Sequence, residues 1–219
     1  MDELAKILEA AARGEFPPAD GGLTVLPQPS PRDAGVLALT GHAVVFADVP
    51  SGWIRRQVPP DDLGAPLGPP FLTALCARTG REAGSIDVLL ALPPGRGAAG
   101  HGATAQELVE TTDQSHPRVV RALAHRSEVR VWTSADGGTV LTGRGVAGRW
   151  EVAVEVDAAA RGTGLGRELA AAARTLAPAD ETLWAQVAPG NAASLRTFLA
   201  AGFTPVGAEV LLSLPDVPR

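Results

Sequence analysis

The sequence predicts an α/β protein whose strands are joined by hairpins as well as by helices, and three stretches carry that reading. Glu128–Thr133 and Thr139–Gly143 read as strands around Ala135-Asp136-Gly137-Gly138, a hairpin turn. Trp150–Val156 alternates with strict period two and runs into the glycine-rich turn RGTGLG, Arg161–Gly166, and then a helix. Leu183–Phe203 repeats the strand-then-helix order, with Pro189-Gly190 between. Hairpin-linked strands argue against a doubly wound parallel sheet.

The remaining elements follow in chain order. Strands are expected at Leu23–Leu26, across Val36–Val49 and at Ile86–Leu92, with a helix over Pro70–Arg78. Two stretches rich in proline and glycine punctuate the chain: Val58–Pro70 and Pro93–Thr104, the second read as a mobile loop. Ser115-His116-Pro117 offers an N-cap and an early proline for a helix through Ala124. In Trp150–Val156, Trp150, Val152, Val154 and Val156 share one face, and Glu151, Ala153 and Glu155 the other. After the glycines, Leu165, Leu169, Ala172 and Leu176 form a helical stripe. A strand over Thr182–Val187, a helix capped by Asn191 and stopped by Gly202, and a strand near Glu209–Leu214 complete the chain.

Composition excludes several classes. The chain has 219 residues, one large domain or two small ones, with 45% hydrophobic residues and a net charge of −5. An acidic balance without a basic run gives no reason to expect nucleic acid. Lys6 is the single lysine. Cys76 stands alone, so no internal disulfide can form, and ALCAR reads as an apolar helix face with the thiol buried and inert. The N-terminal stretch lacks the basic start and apolar run of a signal peptide, and no apolar segment approaches membrane-spanning length. The expectation is a cytoplasmic protein with no membrane partner. His42, His101, His116 and His125 show no metal-ligand spacing, so no metal is expected.

The glycine turn sits at a helix N-terminus, where unpaired N–H groups and partial positive charge favour an anion. Gly162, Gly164 and Gly166 let the backbone approach such a group, and Arg161 adds a charged fork suited to phosphate. A glycine-rich turn without a ligand is the alternative. The P-loop pattern is absent. GRGVAG, Gly143–Gly148, matches G-x-G-x-x-G literally but joins two strands, so it reads as a loop. Asp180 and Glu181 stand at about the distance a dinucleotide fold requires, but they precede the next strand instead of following it.

Arg161–Gly166 resembles the R/Q-x-x-G-x-G/A signature of the GNAT N-acyltransferase superfamily. Asn191, Ser194, Phe198, Gly202 and Phe203 resemble the pattern of that family's next motif. The likeness covers Glu128–Leu214 well, Ile86–Ser127 loosely, and Met1 to about Arg81 not at all. It implies a GNAT-type α/β fold: a mixed, mostly antiparallel sheet flanked by helices, splayed where Trp150–Val156 parts from Thr182–Val187. Residues 82–219 would form that domain. Residues 1–81 would be an N-terminal α/β extension or a degenerate acyltransferase half, placed to cover the cleft or to make a homodimer contact. The resemblance further implies acetyl-CoA as acyl donor. Amides near Gly162, Gly164, Leu165 and Gly166, with Arg161, would hold its pyrophosphate. The Val154–Val156 strand end would pair with the pantetheine arm, with Asn191 near that arm and Ser194 near the thioester. Asn191 also reads as a plain helix cap, and Phe198 and Leu199 as core.

Transfer to an amine requires a proton acceptor and stabilisation of the developing oxyanion. A CoA thiol should ionise near the free-cysteine value of about 8.5, so a strong acid is not essential. Many relatives place a tyrosine acid where Phe198 stands, and several a glutamate base where Gln186 stands; this chain has no tyrosine. Glu151 and Glu155 are therefore the candidate bases, with pairing to Arg149, Arg144 or another arginine as the alternative role. His116 and Arg118 start the helix that borders the acceptor side in the family; capping for His116 and solvation for Arg118 are the plainer roles. Three functions are compatible: an N-acetyltransferase acting on a small-molecule amine or protein amino group, an acetyl-CoA-binding sensor without transfer, and a nucleotide-binding oxidoreductase. The Asn191–Phe203 segment disfavours the last.

Overall fold

The computed structural model describes residues 2–95, 108–113 and 117–215, with side chains in the last range from Val119 onward. The expected Ser115 and His116 cap, His101 and most of the glycine-rich loop lie outside the described residues, as does the side chain of Arg118. In chain order the elements are α1 (Glu3–Ala12), β1 (Leu23–Leu26), β2 (Ala34–Leu39), β3 (His42–Phe46), α2 (Ser51–Gln57), α3 (Pro69–Thr79), β4 (Glu82–Leu92), β5 (Leu108–Thr111), α4 (Pro117–His125), β6 (Ser127–Ser134), β7 (Gly138–Arg144), β8 (Trp150–Val156), α5 (Leu165–Ala172), β9 (Leu183–Val187), α6 (Ala192–Ala200) and β10 (Thr204–Ser213). Every expected helix and strand is present within a few residues. Helices α1 and α2 and strand β5 were not expected; α2 and β5 are short, and neither carries a full period of apolar residues.

The chain divides into two compact units, residues 1–89 with 206–219, and residues 90–205. In the first, strands run in the order β1-β3-β2-β10, with β1 and β3 parallel and the other pairs antiparallel. Its core packs Val36, Val45, Ile54, Phe71, Leu75 and Val210 together. Cys76 lies half-buried at that core's margin, not fully enclosed as expected, because it stands one position past Leu75 on α3. His42 has a local structural account: its Nδ1 lies 2.8 Å from Asp20 Oδ1 and its Nε2 2.8 Å from Thr24 Oγ1.

The second unit orders its strands β9-β8-β7-β6-β5. The run β5 to β8 is antiparallel throughout, and β8 pairs with β9 in parallel. The sheet is therefore mixed and mostly antiparallel. Residues paired directly across two strands share a face. Leu141 of β7 lies opposite Ala153 and packs with Val119 and Ala122 of α4, so Glu151, Ala153 and Glu155 stand on the α4 face. Helix α5 covers the other face, setting buried Leu165 and Leu169 against the sheet at about 1.5–3 kcal/mol of burial each. Among the described residues no helix is long and apolar enough to cross a membrane.

Candidate active site

The parallel pairing of β8 with β9 is confined to Trp150 opposite Leu183 and Glu151 opposite Trp184. Beyond Glu151 the strands part, leaving the main-chain edge of Val152–Val156 unpaired on the β9 side. This is the splay expected from the resemblance. Trp150, Glu151 and Val152 are all buried while Ala153–Val156 are half-buried, so the alternation along β8 does not become an alternation of burial. Both faces of β8 are covered where it pairs with β9, and cover is lost where it leaves.

Directly after β8 comes the glycine turn. Gly162 has φ +81° and Gly164 φ +97°, backbone values that side-chain-bearing residues rarely adopt. A Cβ built at either position meets nothing within 4 Å, so the backbone there is open to an approaching group. Gly164 caps α5 without any side-chain hydrogen bond; Thr163 Oγ1 donates to Ala160 O at 2.8 Å and accepts from the Leu165 amide at 3.4 Å. The Gly166 amide, in the first turn of α5, has no helical partner. Arg161 is exposed, and its Nε donates to Val156 O at 3.2 Å, folding back over the end of β8. The residues expected to hold a diphosphate thus meet at one helix N-terminus.

Helix α6 carries the second motif. Asn191 is its N-cap, and its side chain accepts from the Ser194 amide at 3.1 Å, so the capping role is present whatever else Asn191 does. Ser194 is half-buried in the first turn. Phe198 is core, with its ring 5.0 Å from Phe203 in an edge-to-face arrangement. Leu199, expected in the core, is 40% exposed. α6 buries a narrow stripe centred on Phe198, and the next residue is turned away from it.

The two glutamates differ. Glu151 is buried, and both its oxygens are taken: Oε2 by Arg126 Nε at 2.7 Å and Oε1 by Arg149 Nε at 2.8 Å. Burial drives its pKa upward, but the charges of Arg149 and then Arg126, with their hydrogen bonds, outweigh it and hold the carboxyl below its ordinary value. Of these partners the sequence pointed to Arg149; Arg126, 25 residues away, it did not. Gly145 makes the cluster possible, since a Cβ there would collide with the Glu151 carboxylate. This gives one glycine of the GRGVAG loop a packing reason, and that loop has no α-helix after it. Arg149 also lies over the Trp184 ring, 5.5 Å from its centre. Glu155, half-buried on the same face, stands opposite Thr139. No cluster of three metal-ligating side chains occurs among the described residues.

The acetyltransferase (GNAT) family profile matches residues 110–203. No curated protein matches by sequence. Similar solved structures include a GCN5-related N-acetyltransferase from Kribbella flavida, at 19% identity and TM-score 0.44 over 66% of this chain. Others are a GNAT acetyltransferase from Colwellia psychrerythraea, at 14% identity and 0.42 over 64%, and a GCN5-related N-acetyltransferase from Sphaerobacter thermophilus, at 17% and 0.36 over 65%. The aligned part spans 63%, 60% and 55% of those chains, less than two thirds of each. The family match, over residues 110–203, coincides with the strand, glycine turn and helix described above, and this part of the chain is similar to the GNAT acetyltransferase family.

Proposed function

We propose that the second unit transfers an acetyl group from acetyl-CoA to an amine of a small molecule or a protein. The observation that supports this most is the parting of β8 from β9 beyond Glu151, immediately before a turn whose backbone is open at Gly162 and Gly164. An extended arm fits the unpaired edge of Val152–Val156, and a diphosphate fits the α5 N-terminus. Gly162, Gly164, Leu165 and Gly166 would hold the phosphates through their amides. Arg161 would swing from Val156 O to join them, and Val154 and Val156 would pair with the arm. Asn191 and Ser194 stand at the head of α6, the helix that packs on α5. When bound, acetyl-CoA supplies an activated thioester.

The chain's own residues then have separable roles. Glu155 is the proton acceptor for the incoming amine. Glu151 is a weaker choice, because a carboxylate held between two guanidiniums resists protonation. An amide on the open edge of β8 donates to negative charge developing on the acyl oxygen. Phe198 is sealed against Phe203 and supplies no acid, which keeps a binding protein without transfer as the second reading.

Calorimetry with acetyl-CoA and thiol release with a panel of amines separate the two. Wild type should bind, Gly164→Val should lose binding, and Glu155→Gln should lower kcat/KM by about tenfold or more, equivalent to about 1.4 kcal/mol of barrier. Binding without thiol release would favour the sensor. No heat from wild type at millimolar acetyl-CoA would end both readings.

A further inference from the structure

We infer that Arg161 sets donor specificity by holding the open edge of β8 closed until a diphosphate draws it away, so that a phosphate-free pantetheine arm is disfavoured. The inference rests on the acetyl-transfer reading for the identity of the donor and on main-chain geometry for the latch. The Asp157 amide donates to Gly137 O at 2.8 Å, one step beyond the Gly138–Val156 pair in the register of β7 and β8. Along an antiparallel pair, residues that bond to the partner strand alternate with residues whose N–H and C=O face away from it. Ala153 and Glu155 therefore bond to β7. Val152, Val154 and Val156 turn their peptide groups to the side that β9 leaves after Glu151. Val156 O is the last carbonyl of the strand on that open edge, and it is already engaged: Arg161 Nε donates to it at 3.2 Å.

Arg161 is exposed, so water is within its reach, yet its Nε is aimed at a neutral carbonyl. A phosphate oxygen carries charge and is a stronger partner for a guanidinium than a peptide oxygen is. A diphosphate at the glycine turn, which begins at the next residue, therefore removes Arg161 from Val156 O as it binds. The same event frees the edge for the arm. An arm without phosphates must displace Arg161 unaided, and its apparent affinity falls with the fraction of molecules in which the edge is free. Arg161 is thus a phosphate ligand and a stopper of the edge, and the two roles predict effects of opposite sign.

Calorimetry with CoA and with pantetheine, which lacks the phosphates, reads both signs without turnover. In Arg161→Ala the Kd for CoA should rise by about tenfold, the scale of one charge-assisted hydrogen bond. The Kd for pantetheine should instead fall, by about threefold or more, because the edge stands free in every molecule. Wild type supplies a second measurement that needs no variant: inorganic pyrophosphate at millimolar concentration should tighten pantetheine binding, and in Arg161→Ala it should not. CoA weakened in Arg161→Ala, with pantetheine unchanged, weakened or without heat and no help from pyrophosphate in wild type, would leave Arg161 a phosphate ligand only. That result would sink this inference alone. No heat from CoA with wild type would remove the acetyl-transfer reading and this inference with it.

Discussion

The second unit contains two clusters of the same chemistry in opposite condition. At Glu181, Arg144 grips the carboxylate through two nitrogens at 2.6 and 2.9 Å, and its guanidinium lies 4.4 Å from the centre of the Trp150 ring. The Trp150 Nε1 donates to the same carboxylate at 3.2 Å. At Glu151, two arginines grip one carboxylate and a tryptophan ring lies under Arg149, but the indole N–H of Trp184 has no acceptor. The Glu181 carboxylate is 37% exposed and that of Glu151 4%. A matched set of donors and acceptors at the margin behaves as a clasp. A buried donor without an acceptor, as the Trp184 indole N–H is, is costly by itself.

The sharpest test of this contrast is removal of each carboxylate. Glu151→Gln leaves two guanidiniums buried against a neutral amide and should cost about 3–5 kcal/mol in denaturant unfolding at neutral pH. Glu181→Gln, partly solvated, should cost about 0–1 kcal/mol. Equal losses would erase the distinction. The pH dependence sharpens it further. Because the folded state holds the Glu151 pKa below its ordinary value of 4.5, its contribution is complete above that value. It is lost as pH falls through the lower folded value, so the gap between wild type and Glu151→Gln should close only in acid. A smaller effect is expected from Gly145→Ala, which crowds the Glu151 carboxylate and should cost about 1–3 kcal/mol. The smallest should come from Trp150→Phe, which removes a single hydrogen bond worth about 1 kcal/mol.

Legibility in the sequence divided along the same line. Local signals were readable: the period-two strand at Trp150, the glycines at 162 and 164, the hairpin at Gly137 and the Asn191 cap are each set by a few adjacent residues. Glu151 was readable as a charge on an inward strand, and its pairing with Arg149, two residues away, was an available expectation. Arg126 and Trp184 were not, because only the sheet register brings them to the cluster, and register depends on partners 25 to 33 positions distant. Leu199 misled for a related reason: apolar spacing marks a stripe but not its width, and α6 buries a stripe one residue wide at its centre. Helix α2 carries a single buried residue, Ile54, too little pattern to announce a helix.

Strand β8 bears acids on one side and valines on the other. Losing or gaining one residue between Trp150 and Asp157 would exchange the two, pressing glutamates against Leu165 and Leu169 and aiming aliphatic groups toward α4. Point changes along this strand can be absorbed one at a time, whereas a change of length cannot. Descendants of this chain should therefore vary here in spelling and never in count.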